Sequence, residues 1–368
     1  MKILITGMNK NQVTENFYLR QQLSVVPSHY SLIRCLRDMG HDVEQRLVKI
    51  GEDLSSYDEI IVFLASPRQA LQLAFYNGLW AISQRPNCVI AFDDWQVEDI
   101  YKGIASCKDE KSLLKEFTIN QNKMTDPDCS FELLQPHTDK LLEAVNIIAR
   151  KKNRLLLSLF AGGDPSLLID YPAELIFSYN PNPYHRNRVP GNRGDIDISE
   201  MSFMEQQASP SVDDDTIDPS KKELKFNFAS LVQGKTAKWL KKQNINKWEI
   251  EFFGSRSLGQ RRLSEGDMCL VYAQQWGCLM PGYNHAGSGW WRARPLQLAD
   301  AGSILIGEPK EMMLYYGDES LANLAAHQIE SMSVKELTEV AKAQREALYR
   351  IHPLDKTVQR TEINRIFQ

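Results

Sequence analysis

Over the first hundred residues, short apolar runs alternate with longer stretches of helical spacing. KILITG (2–7) and DEIIVFLA (58–65) are nearly continuous in Ile, Leu and Val, the pattern of strands covered on both faces. HDVEQRLVKI (41–50) and NCVIAFDD (87–94) supply two further strand candidates. Between them, SHYSLIRCLRDMG (28–40) keeps helical spacing up to a Gly stop, and SPRQALQLAFYNGLWAISQ (66–84) opens on a Ser-Pro cap. Alternation at this spacing predicts an α/β fold with a doubly wound parallel sheet.

The pattern is less regular from 110 to 180. HTDKLLEAVNIIARKK (137–152) reads as a helix, and RLLLSLFAGG (154–163) and AELIFSY (173–179) as strands. Residues 191–222 are acidic, carry Ser and Pro and lack sustained periodicity, which reads as a linker or insertion. Alternation then resumes through KFNFASL (225–231), KTAKWLKKQ (235–243), WEIEFFG (248–254), MCLVYA (268–273), ARPLQLADAG (293–302) and SILIGEP (303–309), before a helical tail. This predicts two Rossmann-like domains facing across a cleft, at 1–190 and 223–350. A final helix at 351–368 is expected to pack back on the first domain. Ligands of such folds bind outside the carboxyl ends of the strands.

A length of 368 residues fits two domains, because a single core rarely grows beyond about 250–300 residues. The chain is 43% hydrophobic and 24% charged, an ordinary globular composition. It has no apolar run of membrane-spanning length, and MKILITGMNKN turns polar too early for a signal peptide, so a soluble, cytoplasmic protein is expected. Cysteines 35, 88, 107, 129, 269 and 278 are scattered without a CxxC pair and read as reduced core thiols. The histidines are equally dispersed, so no metal site is expected. A net charge of −4 argues against a surface wholly devoted to nucleic acid but leaves room for a local basic cleft.

Four segments could carry chemistry. CVIAFDDW (88–95) ends a strand on Asp93, Asp94 and Trp95, where either carboxylate could cap a turn or act as a general base. FASLVQGKTAKWL (228–240) places Ser230, Gly234 and Lys235 at a strand-to-helix junction of the kind that favours anions; it lacks the Walker frame. FFGSRS (252–257) follows a strand with Gly254, Ser255 and Arg256, a Gly turn beside a possible anion ligand. GYNHAGSGWWRARPLQLADAGSILI (282–306) leads from a loop with Tyr283 into a helix beginning near Arg292 and Arg294, an arrangement suited to a diphosphate.

Taken in order, MKILITGMN with VPSHY, YDEIIVFLAS, AFDDWQ, IFSYNPNPY, ASLVQGK, NKWEIEFFGSR and RPLQLADAGSILI make the chain similar to GT-B glycosyltransferases. The likeness runs most closely to the phage DNA β-glucosyltransferases, which decorate hydroxymethylated cytosine in duplex DNA. The resemblance implies that Asp94 is the catalytic carboxylate that deprotonates the acceptor hydroxymethyl group. It places Ser230 in the donor-binding loop, Lys235 one position from a family arginine, and Arg294 on the donor diphosphate. Gln297 stands where the family has a ribose-gripping glutamate, Tyr30 where it has a second acid, and Asp93 where it has a neutral residue. Ser28, His29, Tyr30, Asp93, Trp95, Arg186 and Arg188 fall on the acceptor or DNA side.

The expectation is therefore an inverting hexosyltransferase, monomeric and without membrane contact. It would move a sugar from a nucleotide sugar, UDP-glucose first among them, to a hydroxymethylated pyrimidine flipped out of duplex DNA. No bound metal would be required, though a divalent ion could stimulate. A phage origin would place the enzyme in the cytoplasm of an infected bacterium. Two alternatives stand beside it: a GT-B enzyme with a small-molecule, lipid or protein acceptor, and an inactive DNA-binding relative. A metal-dependent GT-A enzyme fits poorly, because that fold has no place for a second α/β lobe.

Overall fold

The computed structural model describes residues 1–7, 27–64, 72–92, 103–120, 131–150, 152–158, 176–179, 211–212, 217–229, 232, 234–253, 265–281 and 294–368. Its strands form two wholly parallel sheets. The first comprises β1 (Lys2–Thr6), β2 (Asp42–Gln45), β3 (Glu59–Phe63), β4 (Val89–Phe92), β5 (Arg154–Ser158) and β6 (Ile176–Tyr179). The second comprises β7 (Glu223–Ala229), β8 (Glu249–Phe253), β9 (Gln275–Met280) and β10 (Ile304–Gly307).

The spatial order of the first sheet is β2-β1-β3-β4-β5-β6, and that of the second is β8-β7-β9-β10. Each lobe thus starts with its first strand in the middle and its second at the edge, and then reverses direction, which makes a switch point between β1 and β3 and another between β7 and β9. Helices cover both faces of each sheet. In the first lobe, α1 (Pro27–Asp38) packs on the face of Ile3 and Ile5, while α2 (Gln72–Gln84) and α4 (Thr138–Ala149) cover Leu4, Ile60 and Val62; α3 (Glu110–Asn120) joins the latter side. In the second lobe, Trp239 of α5 (Gly234–Lys242) and Leu337 and Ala341 of α9 (Val334–Ile351) bury Phe226 and Phe228. Tyr272 of α6 (Glu265–Gln274), Leu296 and Leu298 of α7 (Arg294–Ala301), and Met312 and Tyr315 of α8 (Pro309–Tyr316) cover Cys278 and Leu305. This double coverage explains why EIIVF and ILIG are apolar runs without alternation.

The last helix, α10 (Lys356–Ile366), sets Ile363 and Ile366 into the first-lobe core beside Ile3, Val89 and Ala91. Arg154, at the start of β5, ties it down by donating from Nη1 to the Ile366 carbonyl. The same guanidinium reaches Glu59 Oε2 at 2.5 Å and the Asn87 carbonyl at 3.1 Å.

Two readings of the sequence need correction. MCLVYA lies within α6 and is helical, and the strand required there is the next segment, QWGCLM. Gly277 falls inside that strand because Phe226 packs where its Cβ would stand, 2.2 Å from the ring. Nor is the 191–222 segment simply a polar connection: Ser211, Ile217 and Lys222 are buried, and the Ser211 hydroxyl donates to Asp300 of α7 at 3.2 Å. Among the described residues, no helix is long and apolar enough to cross a membrane.

Candidate active site

The carboxyl ends of the strands are where each lobe can meet a ligand. In the first lobe β1 runs through Thr6 into Gly7, whose φ of +83° lies in the left-handed region. A Cβ on Gly7 would stand 2.4 Å from the Phe63 carbonyl oxygen at the end of β3, so only glycine fits where the two switch-point strands come together. The Thr6 hydroxyl beside it is buried and has no hydrogen-bond partner among the described residues. Strand β4, next along the sheet, ends at Phe92, so Asp93, Asp94 and Trp95 come directly after its last residue. Those three lie outside the described residues, as do Arg186 and Arg188. Ser28, His29 and Tyr30 form the first turn of α1, and their side chains are likewise outside the description.

In the second lobe the switch point holds a cation. Arg294 is the first residue of α7, and its Nη2 donates to the Ala229 carbonyl at the end of β7, 2.9 Å away. Its Nη1 is buried and makes no hydrogen bond among the described residues. Burial opposes the guanidinium's charge, but Tyr272, which hydrogen-bonds to it, and the neighbouring Cys278 and Glu311 outweigh that cost and hold its pKa above the ordinary arginine value. The Glu311 carboxylate, only 2% exposed, is itself fixed by the Tyr315 hydroxyl at 3.0 Å. A buried cation with one donor edge left open is suited to an anionic ligand entering from the strand ends.

Gln297 lies one turn beyond the half-buried Arg294 on α7 and is itself buried, so the two share a helix face. Gly234 opens α5 with φ +51°, and Lys235 follows it, exposed. Ser230, Gly254, Ser255, Arg256 and Tyr283 lie outside the described residues. The structure thus brings Arg294 and Gln297 together at the second switch point, with Lys235 at the start of the helix that leaves the same strand. Tyr272 and Glu311 are additions. Tyr272 is hidden in a segment that reads as purely apolar, and Glu311 carries no local signal, because its relation to Arg294 spans two helices.

No protein-family model matches the chain, and no curated protein matches it by sequence. Solved structures do match over its full length. A T4 phage β-glucosyltransferase mutant bound to UDP-glucose has a TM-score of 0.54 at 14% identity, covering 100% of this chain and 99% of the other. The T4 phage enzyme in complex with its UDP-glucose substrate scores 0.54 at 13% identity, with 100% and 99% covered. A β-glucosyltransferase described as a DNA-modifying enzyme, solved with and without uridine diphosphoglucose, scores 0.50 at 13% identity and covers both chains completely. Identity this low speaks for architecture alone, and the architecture of this chain is the two-lobed GT-B glycosyltransferase fold.

Proposed function

We propose that the protein is an inverting glycosyltransferase that moves a sugar from UDP-glucose, or a similar nucleotide sugar, to the hydroxymethyl group of a modified pyrimidine in duplex DNA. The observation that carries this reading is the Arg294 guanidinium, buried at the β7/β9 switch point with Nη1 unbonded among the described residues. Solved structures of the same fold hold UDP-glucose, and one of those proteins is described as DNA-modifying.

In this mechanism the acceptor hydroxyl oxygen attacks the anomeric carbon as the bond from that carbon to the diphosphate oxygen breaks, which inverts the configuration. The diphosphate leaves with the bonding electrons. Arg294, with Lys235 and Arg256 as further cations, meets the charge that develops there. Asp94, following the end of β4, takes the hydroxyl proton. Gln297 hydrogen-bonds the donor ribose as a neutral amide, a weaker grip than a carboxylate gives. Ser230, Gly254, Ser255 and Tyr283 line the donor side. Ser28, His29, Tyr30, Asp93, Trp95, Arg186 and Arg188 meet the flipped nucleotide and its phosphates.

The test is mass spectrometry of nucleosides from hydroxymethylated and plain DNA, each incubated with the protein and a panel of nucleotide sugars. A hexose added only to the hydroxymethylated nucleoside is expected. No adduct on either DNA, with transfer to a small-molecule, lipid or protein acceptor, would replace the DNA reading with the second glycosyltransferase class.

A further inference from the structure

Helix α5 carries a cluster of charge of which the proposed chemistry uses only Lys235. Residues 234–247, GKTAKWLKKQNINK, hold five lysines and no acid in a chain whose net charge is −4. Lys235, Lys238, Lys241 and Lys242 are all exposed, whereas Trp239 is buried against α9. At 3.6 residues per turn the four lysines fall within about 120° of arc, turned away from that buried side. Among the described residues none of the four has an acidic partner within ion-pair distance. Lys225 on the neighbouring strand, by contrast, is neutralised by Glu223 at 2.8 Å and Glu249 at 3.7 Å.

We infer that this ridge is a docking surface for the sugar-phosphate backbone of duplex DNA, flanking the nucleotide that is modified. The inference rests on the DNA-acceptor reading above and adds a second-lobe contact to it. Position supports it: α5 starts five residues after Ala229, whose carbonyl receives the Arg294 hydrogen bond, so the ridge begins at the ligand-binding edge of the sheet. Chemistry supports it too. Lys235 to Lys242 spans about 10 Å of helix axis, room for roughly three phosphates along one strand. Lysines act as point charges towards phosphate without reading sequence. A membrane surface would call for apolar side chains on the same face, and a protein partner for an aromatic or arginine anchor. The exposed positions of α5 other than Gly234 are all lysine.

The test replaces Lys238, Lys241 and Lys242 together by Gln, leaving Lys235 in place, and measures anisotropy of a labelled, unmodified duplex over a range of KCl concentrations. Removal of three phosphate contacts is expected to flatten the slope of log affinity against log salt by about 2 to 3 and to weaken binding roughly 10- to 100-fold at low salt. An unchanged melting temperature and an unchanged KM for the nucleotide sugar are expected alongside, with the KM for DNA raised. An unchanged slope overturns the inference, as does a loss seen only with phosphatidylserine vesicles. Because the binding assay needs neither donor nor modified base, its outcome is independent of the transfer assay. Transfer with an unchanged slope removes only the ridge, and a flattened slope without transfer removes only the enzyme reading.

Discussion

The two lobes share one strand order and differ in what stands at the ends of the strands. In both, the first strand is central, the second flanks it and the third lies across the switch point. In the first lobe that point is closed by Gly7 against the Phe63 carbonyl, and in the sequence Asp93 and Asp94 directly follow β4, one strand further along the sheet. In the second lobe a buried guanidinium occupies the corresponding place. A common topology supplies the opening, and side chains at the strand tips decide the chemistry. On the proposed mechanism they would set a carboxylate on one lobe and a cation for the departing diphosphate on the other.

The amino ends of the sheets differ as well. The first lobe holds its amino edge with the Arg154–Glu59 pair and the returning helix α10. The second uses isolated charged groups satisfied by backbone. Glu330 accepts N–H bonds from Asn246, Lys247 and Trp248 at 3.0, 2.6 and 2.7 Å, and although burial raises its pKa, these donors hold it below the usual carboxylate value. Lys222 donates to the Tyr272 and Gln275 carbonyls at 3.0 and 3.4 Å and to the Ser303 hydroxyl at 2.6 Å, while burial pushes its ammonium down to about 7.

The contrast can be broken most sharply at the carboxyl ends. Asp94→Asn should lower kcat for sugar transfer by about 100- to 10,000-fold in steady-state kinetics, the range for loss of a general base. A turnover number close to that of the parent would take the base away from the first lobe. Arg294→Gln should cost about 100- to 1,000-fold in kcat/KM, equivalent to about 2.7–4 kcal/mol, because a charged donor to the leaving group is lost. Unaltered kinetics in that variant would place the donor elsewhere.

The amino-end devices give smaller effects, read as stability. Glu330→Gln should lower unfolding free energy by about 2 kcal/mol in denaturant titration at pH 7, since a charged acceptor of three N–H groups is replaced by a neutral one. Because its folded pKa is depressed, the parent's advantage should fade as pH drops through the carboxylate range. Lys222 acts on stability with the opposite origin. Between about pH 7 and the ordinary lysine value near 10.5, the unfolded chain binds a proton that the folded chain does not, so this group makes stability rise with pH. Below about pH 7 the contribution is flat. Urea midpoints from pH 7 to 9.5 should climb in the parent relative to Lys222→Met; parallel curves would mean that Lys222 stays charged in the fold.

What could be read in advance follows from the range of the forces. Strands β1, β3, β4 and β10 were legible because burial on both faces leaves no alternative to apolar residues in KILIT, EIIVF, VIAF and ILIG. Helix α7 was legible from its arginine-rich start and its stop at Gly302, which adopts φ +62°. Strand β9 was missed because QWGCLM owes its Gly to a ring on the adjacent strand, a contact 51 residues away in sequence. Arg294 could be singled out as a cation at a helix start. Its fixing by Ala229, Tyr272 and Glu311 could not, because those partners come from three other elements. The burial of Ser211 and Lys222 is not legible for a similar reason: an acidic, aperiodic stretch gives no local sign of docking on a lobe that follows it.

The division of labour between the lobes is tested most directly by calorimetric titration of UDP-glucose into the Asp94→Asn and Arg294→Gln variants beside the parent. Parent-like affinity is expected for the first variant and loss of at least about tenfold for the second, in keeping with a charge-assisted contact worth about 1.5–3 kcal/mol. Normal binding by Arg294→Gln together with failed binding by Asp94→Asn would contradict that division.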